Sequence, residues 1–328
     1  MRKVAVIVLL LSVVLVSGMI PHSAAAAALE TQKVKIGISA MITAFLPVFV
    51  AKEKGFFEKE GLDASLVFFK SGTENSQALI SGDVKFGAGG LTEPILLKDE
   101  ADVDTRVVAA ALNAMVYKLY ALPDIKSPKD LNGKTLGVSK YGALSDFVIQ
   151  ELIRQLQLKD VKVLQIGSHA ARLAAMDTKQ IHGTILDAPL TAVAQSKGYN
   201  MVVDVAKTIP EFVKEVIYAR EDFVTKNPET TKAFLRAYVK AMKFVKENKA
   251  EAVAINAKTL NFSVKDSELG YDEMSPAWPA NSMPSLVGFT PLVTMMFDAK
   301  QIKKKYTPEE LSNLKALKEV LTELKIKY

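Results

Sequence analysis

Residues 34–69 carry a pattern of apolar and polar positions that predicts a strand, a helix and a second strand. Residues 34–38 alternate between apolar side chains and Lys or Gly, which is the two-residue period of a strand. From residue 46 the apolar positions group on one helical face, and Gly61 marks the turn before a Val- and Phe-rich run. A strand–helix–strand unit favours a parallel pair of strands joined by a right-handed crossover.

The same order of strand, polar loop and helix recurs along the chain and predicts an α/β fold. Further strands are expected at 83–88, 106–112, 117–122, within 130–138, and at 161–166, 183–186 and 201–205. Helices are expected at 74–80, 145–158, 169–177 and 189–197. We expect residues 216–219 to pair with 117–122 as the return crossing between two lobes. A helix that starts at Asn227 and Pro228 is expected to pack back onto the first lobe.

Residues 1–28 form a separate segment with the features of a secretory signal peptide. Arg2 and Lys3 precede an apolar run, and small residues at 23–28 provide a cleavage site. The alternative is a retained membrane anchor, since the apolar run is at the short limit for crossing a bilayer. Cleavage removes both positive charges and lowers the formal net charge from +6 to +4, which is mild.

The chain lacks the residue patterns that common enzymes and metal sites need. It contains no cysteine, which excludes disulfides, cysteine nucleophiles and thiolate metal ligands. After the leader only His169 and His182 remain, far apart and outside any HExxH pattern, and no Walker or G-x-S-x-G motif is present. Basic residues do not alternate with aromatic ones, which argues against nucleic acid. We therefore expect a protein that is not an enzyme and needs no metal or other cofactor.

Polar loops and helix amino termini follow the strands on one side of each predicted sheet. Open α/β sheets bind ligands beyond the carboxyl ends of their strands, and helix amino termini offer free N–H groups. Phe45, Tyr141 and Trp278 offer faces on which a planar ligand can stack. The predicted ligand-binding residues are Thr43, Phe45, Gly72, Thr73, Glu74, Gly90, Thr92, Asn113, Ser139, Tyr141, Ser145 and Asp187.

Several of these residues have a purely structural alternative. Thr73, Thr92 and Ser145 are suited to cap the helices that they open, and Asp187 to cap the helix after it. Trp278, the only tryptophan, is better suited to the hydrophobic core or to packing between the lobes than to a ligand contact. The pattern leaves these alternatives open.

Two motifs carry a resemblance to a known family. Residues 46–63 have the sequence LPVFVAKEKGFFEKEGLD, and residues 130–138 have the sequence DLNGKTLGV. Both resemble the periplasmic solute-binding proteins of ABC importers, and within them the nitrate/sulfonate/taurine and thiamine-precursor (NMT1/THI5-like, SsuA-like) family. The resemblance implies a type II periplasmic-binding-protein fold, in which two Rossmann-like lobes joined by a two-strand hinge close on a ligand.

The resemblance also implies where the ligand is held and what the protein does. Lobe I is expected at 33–118 plus 218–328, and lobe II at 119–217. Pyrimidine synthases of the THI5 type use a histidine and a cysteine-rich motif. Because this chain has no cysteine, the resemblance does not imply their enzymatic activity. Ligand contacts of similar proteins correspond here to Thr43, Thr73, Thr92, Ser139, Tyr141 and Asp187.

We accordingly expect a monomeric periplasmic binding protein that delivers a small organic solute to an ABC permease in the inner membrane. The candidate loops hold Lys140 but no arginine, together with Glu74, Glu93 and Asp187. Two ligand classes stay open at this point, sulfonate or taurine-like solutes and aminopyrimidine or other heteroaromatic solutes. The alternatives in function are a secreted sensory or partner-binding protein and an enzyme on the same fold.

Overall fold

The computed structural model describes residues 28–188 and 190–328, so the predicted leader falls outside the described residues except for residue 28. Within that part the strands form two five-stranded sheets. The strands are β1 Lys33–Ile38, β2 Asp63–Phe68, β3 Phe86–Gly90, β4 Thr105–Leu112, β5 Lys118–Ala121, β6 Thr135–Val138, β7 Lys162–Gln165, β8 Gly183–Leu186, β9 Asn200–Asp204 and β10 Glu215–Arg220.

Helices alternate with these strands and then continue to the carboxyl end of the chain. They are α1 Leu46–Glu53, α2 Phe56–Lys59, α3 Gly72–Ser81, α4 Thr92–Glu100, α5 Leu144–Gln155, α6 His169–Asp177, α7 Leu190–Ser196, α8 Val205–Thr208, α9 Glu221–Lys226, α10 Pro228–Glu247, α11 Lys249–Leu260, α12 Val264–Met274, α13 Thr290–Asp298, α14 Pro308–Leu311 and α15 Lys315–Glu323. Short 3₁₀ turns lie at Thr43–Phe45, Pro128–Leu131, Ser275–Ala277 and Leu286–Phe289. No helix in the described part of the chain has the length and apolarity needed to cross a membrane.

The first sheet has the strand order β2-β1-β3-β10-β4. Strand β1 runs parallel to β2 and β3, which confirms the parallel pair predicted for residues 34–69. Strand β10 runs antiparallel between β3 and β4. The carboxyl ends of β1 and β3 therefore meet the amino-terminal end of β10 at one edge of this sheet.

The second sheet has the strand order β7-β6-β8-β5-β9 and repeats this design. Strands β7, β6 and β8 are parallel, whereas β5 runs antiparallel to β8 and β9. The chain passes between the two sheets twice, through residues 113–117 and 205–214. Two five-stranded α/β sheets linked in this way confirm the predicted fold class.

The predicted pairing of residues 216–219 with 117–122 is wrong. Strand β10 instead pairs with β3 and β4 of the first sheet, and β5 pairs with β8 and β9 of the second. The physical reason is burial, because residues 215–219 are buried and need hydrogen-bonding neighbours on both sides. A strand inserted into the middle of a sheet satisfies both of its edges, which a two-stranded crossing does not.

The long helix α10 covers one face of the first sheet. Phe234 stacks on Phe86 of β3 with ring centroids 3.9 Å apart, and on Phe57 of α2 at 5.5 Å. This confirms that the helix beginning after Asn227 packs onto the first sheet. The carboxyl-terminal residues do not all stay on that side, since α13 also packs against α5, which follows β6 of the second sheet. The predicted lobe boundaries stay a prediction.

Candidate functional site

Glu93 is a buried acid at the carboxyl end of β3, in the first turn of α4. Its Oε2 accepts a hydrogen bond of 2.5 Å from the hydroxyl of Tyr218, and its Oε1 accepts one of 3.0 Å from the backbone N–H of Gly90. Asn75 of α3 donates to the Tyr218 oxygen at 3.1 Å. Strands β3 and β10 and the helices α3 and α4 thus fix one carboxylate beside the strand ends of the first sheet.

Glycines make room for this acid. A Cβ on Gly89 would lie 2.3 Å from Glu93 Oε1, and one on Gly72 would lie 2.5 Å from the same atom. A Cβ on Gly87 would lie 2.3 Å from the Tyr218 ring. Real atoms do not approach so closely. The end of β3 therefore needs glycine, because the side chains of Glu93 and Tyr218 occupy the space that a Cβ would take. The turn resembles a phosphate-binding loop in composition, but its glycines enclose a carboxylate.

The environment of Glu93 raises the pKa of its carboxyl group. Burial raises the pKa of Glu93 to about 7, the hydrogen bonds from Tyr218 and Gly90 oppose that rise, and the neighbouring charge of Glu215 adds to it. A carboxyl group with such a pKa is partly protonated near pH 7. It can therefore accept or donate a hydrogen bond, depending on what faces it.

In the second sheet, Ser139 and Ser145 form a hydroxyl pair beyond the end of β6. Their Oγ atoms are 2.8 Å apart, and Ser145 Oγ also accepts from the backbone N–H of Ser139 at 2.9 Å. The loop between them thus closes on itself at the amino terminus of α5. The arrangement presents short hydroxyl groups at the strand ends of this sheet, as the sequence predicted.

Asp187, directly after β8, is joined to a fully buried cation. Its Oδ2 accepts from the ammonium of Lys214 at 2.5 Å, and Glu215 Oε1 contacts the same nitrogen at 3.0 Å. The ammonium also lies 4.2 Å from the ring centroid of Tyr117. Lys214 ends one crossing segment and Tyr117 ends the other, so this cluster lies where the chain passes between the sheets.

Burial and neighbouring charges shift the pKa values of Lys214 and Asp187 in opposite directions. Burial alone lowers the pKa of the Lys214 ammonium, but Asp187, Tyr117 and Glu215 together raise it above its ordinary value. Burial raises the pKa of Asp187, and Lys214 opposes that shift. We conclude that Lys214 keeps its charge, because a buried ammonium at 2.5 Å from a carboxylate is stabilised by it.

His169 and Arg172, on α6, extend the cluster. The buried His169 Nε2 lies 3.8 Å from Asp187 Oδ2, too far for a hydrogen bond. Arg172 donates to Thr184 Oγ1 at 3.0 Å and to the Ile185 carbonyl at 2.8 Å. Within the described residues, Asp187 Oδ1, His169 Nε2 and two guanidinium nitrogens of Arg172 have no hydrogen-bond partner. Burial lowers the pKa of His169 well below its usual value, helped by Arg172 and Lys214.

The structure brings some predicted site residues to the strand ends and directs others elsewhere. Gly72, Gly90 and Thr92 surround Glu93. Ser139 and Ser145 lie together at the end of β6, and Asp187 lies at the end of β8. Glu215 lies between these groups, because it pairs with Gly90 in the first sheet and its Oε1 contacts Lys214, which binds Asp187.

The remaining predicted residues have other neighbours. Thr43 is buried and accepts from Asn256 at 3.1 Å, and Phe45 lies in the core. Thr73 and Glu74 face solvent. Asn113 binds the backbone of residues 283 and 285. Tyr141 is 55% exposed, and its hydroxyl donates to the Val163 carbonyl at the edge strand β7.

The predicted caps were wrong, and the core alternative for Trp278 is confirmed. Ser71, not Thr73, caps α3 by accepting from the Glu74 N–H, whereas α4 and α5 have no side-chain cap. Asp187 binds Lys214 through its side chain and does not cap α7. Trp278 is 2% exposed and donates through Nε1 to the Ala44 carbonyl at 3.3 Å.

Sequence reasoning missed most of the groups that hold these acids in place. Lys214 and Glu215 precede a run of buried residues, and two charges at the start of a buried strand are a usable signal of an ion pair. The sequence around Tyr218 and Asn75 contains no comparable signal of their contacts with Glu93. We find no group of His, Asp or Glu side chains suited to a metal ion in the described residues. Two open surface pockets, one of them between the ends of α4 and α13, are lined by residues other than Glu93, Asp187 and Lys214.

Comparisons with known proteins agree on the family. Residues 42–252, more than half of the chain, match the family model described as NMT1/THI5 like. A Brucella abortus protein described as a binding protein is 30% identical over 220 residues, which cover 64% of this chain and 66% of the relative, just under two thirds. The formylaminopyrimidine-binding protein of Halalkalibacterium halodurans is 26% identical over 63% of this chain and 64% of its own length.

A solved structure shows the same fold. The periplasmic aliphatic sulphonate binding protein SsuA from Escherichia coli superposes with a TM-score of 0.73 at 18% sequence identity. The superposition covers 86% of this chain and 92% of SsuA. On the strength of the family match and this architecture, the chain belongs to the NMT1/THI5-like family.

Proposed function

We propose that the protein is a periplasmic solute-binding protein of an ABC importer and captures a small organic solute by hinge closure. Family membership supports this function, as do two α/β sheets whose strand ends meet at a pair of crossing segments. A ligand held by both halves stabilises the closed arrangement through the contacts that it makes only there. No covalent bond is made or broken in this mechanism.

One observation carries the proposal. Asp187 of the second sheet and Glu215 of the first meet at the ammonium of Lys214, and Glu93 of the first sheet lies close enough to Glu215 for their charges to interact. Buried acids are costly unless they are paired, and Asp187 Oδ1 has no partner among the described residues. Such a cluster is suited to recognise a polar ligand from both sides.

The charges favour a ligand with N–H donors over a bare oxyanion. Lys214, the cation nearest these acids, is already engaged by two carboxylates. A sulfonate brought close to Glu93 and Glu215 would lose its hydration and face the negative charge of whichever of these carboxyl groups is ionised, which costs free energy. An amine or aminopyrimidine edge instead finds acceptors. The aminopyrimidine relative from Halalkalibacterium supports this class, whereas the sulphonate-binding neighbour supports the fold alone.

Catalysis is the less favoured function on the geometry. A serine nucleophile needs a base within hydrogen-bond reach, and the Ser139 and Ser145 hydroxyls bond to each other. The buried His169 approaches Asp187 only to 3.8 Å. We therefore propose a binding protein without enzymatic activity, and recovery of an unaltered ligand after incubation tests that point.

The test is a thermal-shift screen of the purified protein with matched ligands. The library contains an aminomethyl aminopyrimidine, taurine, ethanesulfonate, nitrate, a flavin and aromatic acids. A ligand at 100 times its dissociation constant stabilises the folded protein by about 2.7 kcal/mol. We expect aminopyrimidines to raise the melting temperature and ethanesulfonate to leave it unchanged. Stabilisation by sulfonates alone would overturn the ligand class while leaving the binding function in place.

Site residues are tested on the ligand that the screen identifies. The double variant Asp187→Ala with Thr92→Ala should weaken binding at least tenfold, because it removes polar groups from both halves of the site. Thr322→Ala, an exposed position on α15, serves as the matched control and should bind normally. Unchanged affinity in the double variant would show that the ligand binds elsewhere.

The transport role has its own test. A liganded binding protein should stimulate ATP hydrolysis by its permease in reconstituted vesicles, whereas a sensory protein should not. A permease gene next to the gene for this chain would identify the transporter for this assay. Ligand binding without any stimulation would favour a secreted sensory protein over an importer component.

A further inference from the structure

Lys214 occupies a special place between the two sheets. It ends the crossing segment 205–214 and precedes β10, and its side chain is fully buried. Its ammonium contacts Asp187 of the second sheet and Glu215 of the first, and it lies 4.2 Å from the Tyr117 ring on the other crossing segment. One charged group therefore touches both sheets and both connections between them.

The contact leaves Asp187 in a defined orientation. Lys214 holds Oδ2 at 2.5 Å, while Oδ1 has no hydrogen-bond partner in the described part of the chain. A carboxylate fixed through one oxygen presents the other in a set direction. Without the ammonium, Asp187 and Glu215 would be two buried acids of like charge close to each other, an arrangement that favours their separation.

We propose that Lys214 is the positioning residue of this site, which aligns Asp187 for the ligand and holds the two lobes together before any ligand binds. The inference deepens the proposed function and rests on it for its biological meaning. Its physical content, however, concerns the free protein. It can therefore be tested without an identified ligand, and its failure is distinguishable from failure of the ligand-binding function.

A second ion pair between the same halves provides a matched control. Lys118 of β5 contacts Glu273 of α12 at 2.8 Å, and Thr191 of α7 donates to the same carboxylate at 2.9 Å. The Lys118 and Glu273 side chains are partly exposed, whereas Lys214 is not. Partly exposed pairs contribute little to stability. Glu273→Gln therefore removes a contact between the halves without leaving a buried charge unpaired.

The first measurement is the titration of Asp187 by carboxyl carbon NMR. The charged or titratable groups that act on Asp187 from the elements around it are Lys214, Arg172, His169, Tyr117, Glu215 and Glu273. Each variant replaces Lys214 or Glu273 and leaves the other five groups unchanged. We expect Lys214→Met to raise the Asp187 titration midpoint by about one pH unit or more. Lys214→Arg should restore the wild-type midpoint, and Glu273→Gln should not raise it.

The second measurement is the distance between the halves. Because the chain has no cysteine, Ser81→Cys on α3 and Thr178→Cys after α6 introduce two unique sites for spin labels. Wild type and Lys214→Arg should give one narrow distance distribution at neutral pH. Lys214→Met should give a longer and broader one, and Glu273→Gln should resemble the wild type. Where Lys214→Met does not fold, the double variant Asp187→Asn with Lys214→Met removes both charges, and loss of the contact between the halves should still lengthen and broaden the distribution.

Two results would overturn the proposal. One is an unchanged Asp187 midpoint together with an unchanged distance in the Lys214→Met protein, or an unchanged distance in the double variant, which has no Asp187 carboxyl group to titrate. The other is an equal opening in Glu273→Gln, because any contact between the halves would then have the same effect. A charge-specific opening that Lys214→Arg reverses would establish the positioning role, whatever ligand the protein binds.

Discussion

The hydroxyl of Tyr218 donates a hydrogen bond of 2.5 Å to Oε2 of Glu93, although the two residues are 125 positions apart in the chain. Strand β10 brings Tyr218 beside β3, and α4 carries Glu93 back over the end of β3. This contact places a buried acid with a pKa of about 7 at the strand ends of the first sheet. This acid and His169 each predict a change of stability with pH.

Glu93 should make the folded state less stable as pH rises. Its pKa is about 7 in the folded protein and 4.5 in the reference state, so the folded state binds more protons between these values. The free energy of unfolding therefore falls as pH increases from about 4.5 to 7, by up to about 3 kcal/mol from this group. The measurement is urea unfolding of wild type and Glu93→Gln across this range. A difference between the two proteins that does not change with pH would contradict the prediction.

His169 should make the folded state more stable as pH rises, which is opposite to the effect of Glu93. Its pKa is well below 6.5 in the folded protein, so the unfolded state binds the extra proton as pH falls. Stability from this group is present above pH 6.5 and is lost on acidification. By NMR the His169 ring should still be neutral at pH values where an ordinary histidine is already protonated. His169→Gln should flatten the acid limb of the stability curve, and a normal titration near pH 6.5 would contradict the assignment.

Alanine substitutions at Gly89 and Gly90 test whether Glu93 occupies the space beside β3. A Cβ at residue 89 would overlap the carboxylate, whereas a Cβ at residue 90 meets Thr92 Oγ1 only at an ordinary 3.4 Å. Gly89→Ala should therefore lower the free energy of unfolding by about 1–3 kcal/mol, because Glu93 must move. Gly90→Ala is the matched control and should change stability by no more than about 1 kcal/mol. Equal effects in the two variants would indicate that Glu93 does not occupy this space.

Trp278 should report on the core and not on the ligand. It is buried, donates to the Ala44 carbonyl and packs edge-on against Tyr271 with ring centroids 5.3 Å apart. Its fluorescence should be blue-shifted and poorly quenched by acrylamide, and addition of a binding ligand should leave the emission maximum in place. Because it is the only tryptophan, the signal has no other source. A large ligand-induced shift in the maximum would place Trp278 at the site.

Local pattern determined much of what the sequence revealed. Continuous apolar runs located β4 and β8, and helical spacing located α6, almost to the residue, because the pattern of apolar side chains reflects which faces each element buries. The motifs at 46–63 and 130–138 indicated the family and, through it, the fold. The strand ends where Glu93, Ser139 and Asp187 lie followed from the same alternation of strands and helices.

Only the tertiary structure decided how the distant parts combine. The insertion of β10 between β3 and β4 joins residues that no local pattern connects, and it makes Tyr218 the partner of Glu93. The pairing of Lys214 with Asp187 likewise depends on two strands of different sheets meeting at the crossing segments. Burial of charge is a property of the assembled fold, because the desolvation that shifts a pKa arises from every element packed around the group. The sequence by itself therefore determined the elements and the family, and the packing of those elements decided which side chains form the site.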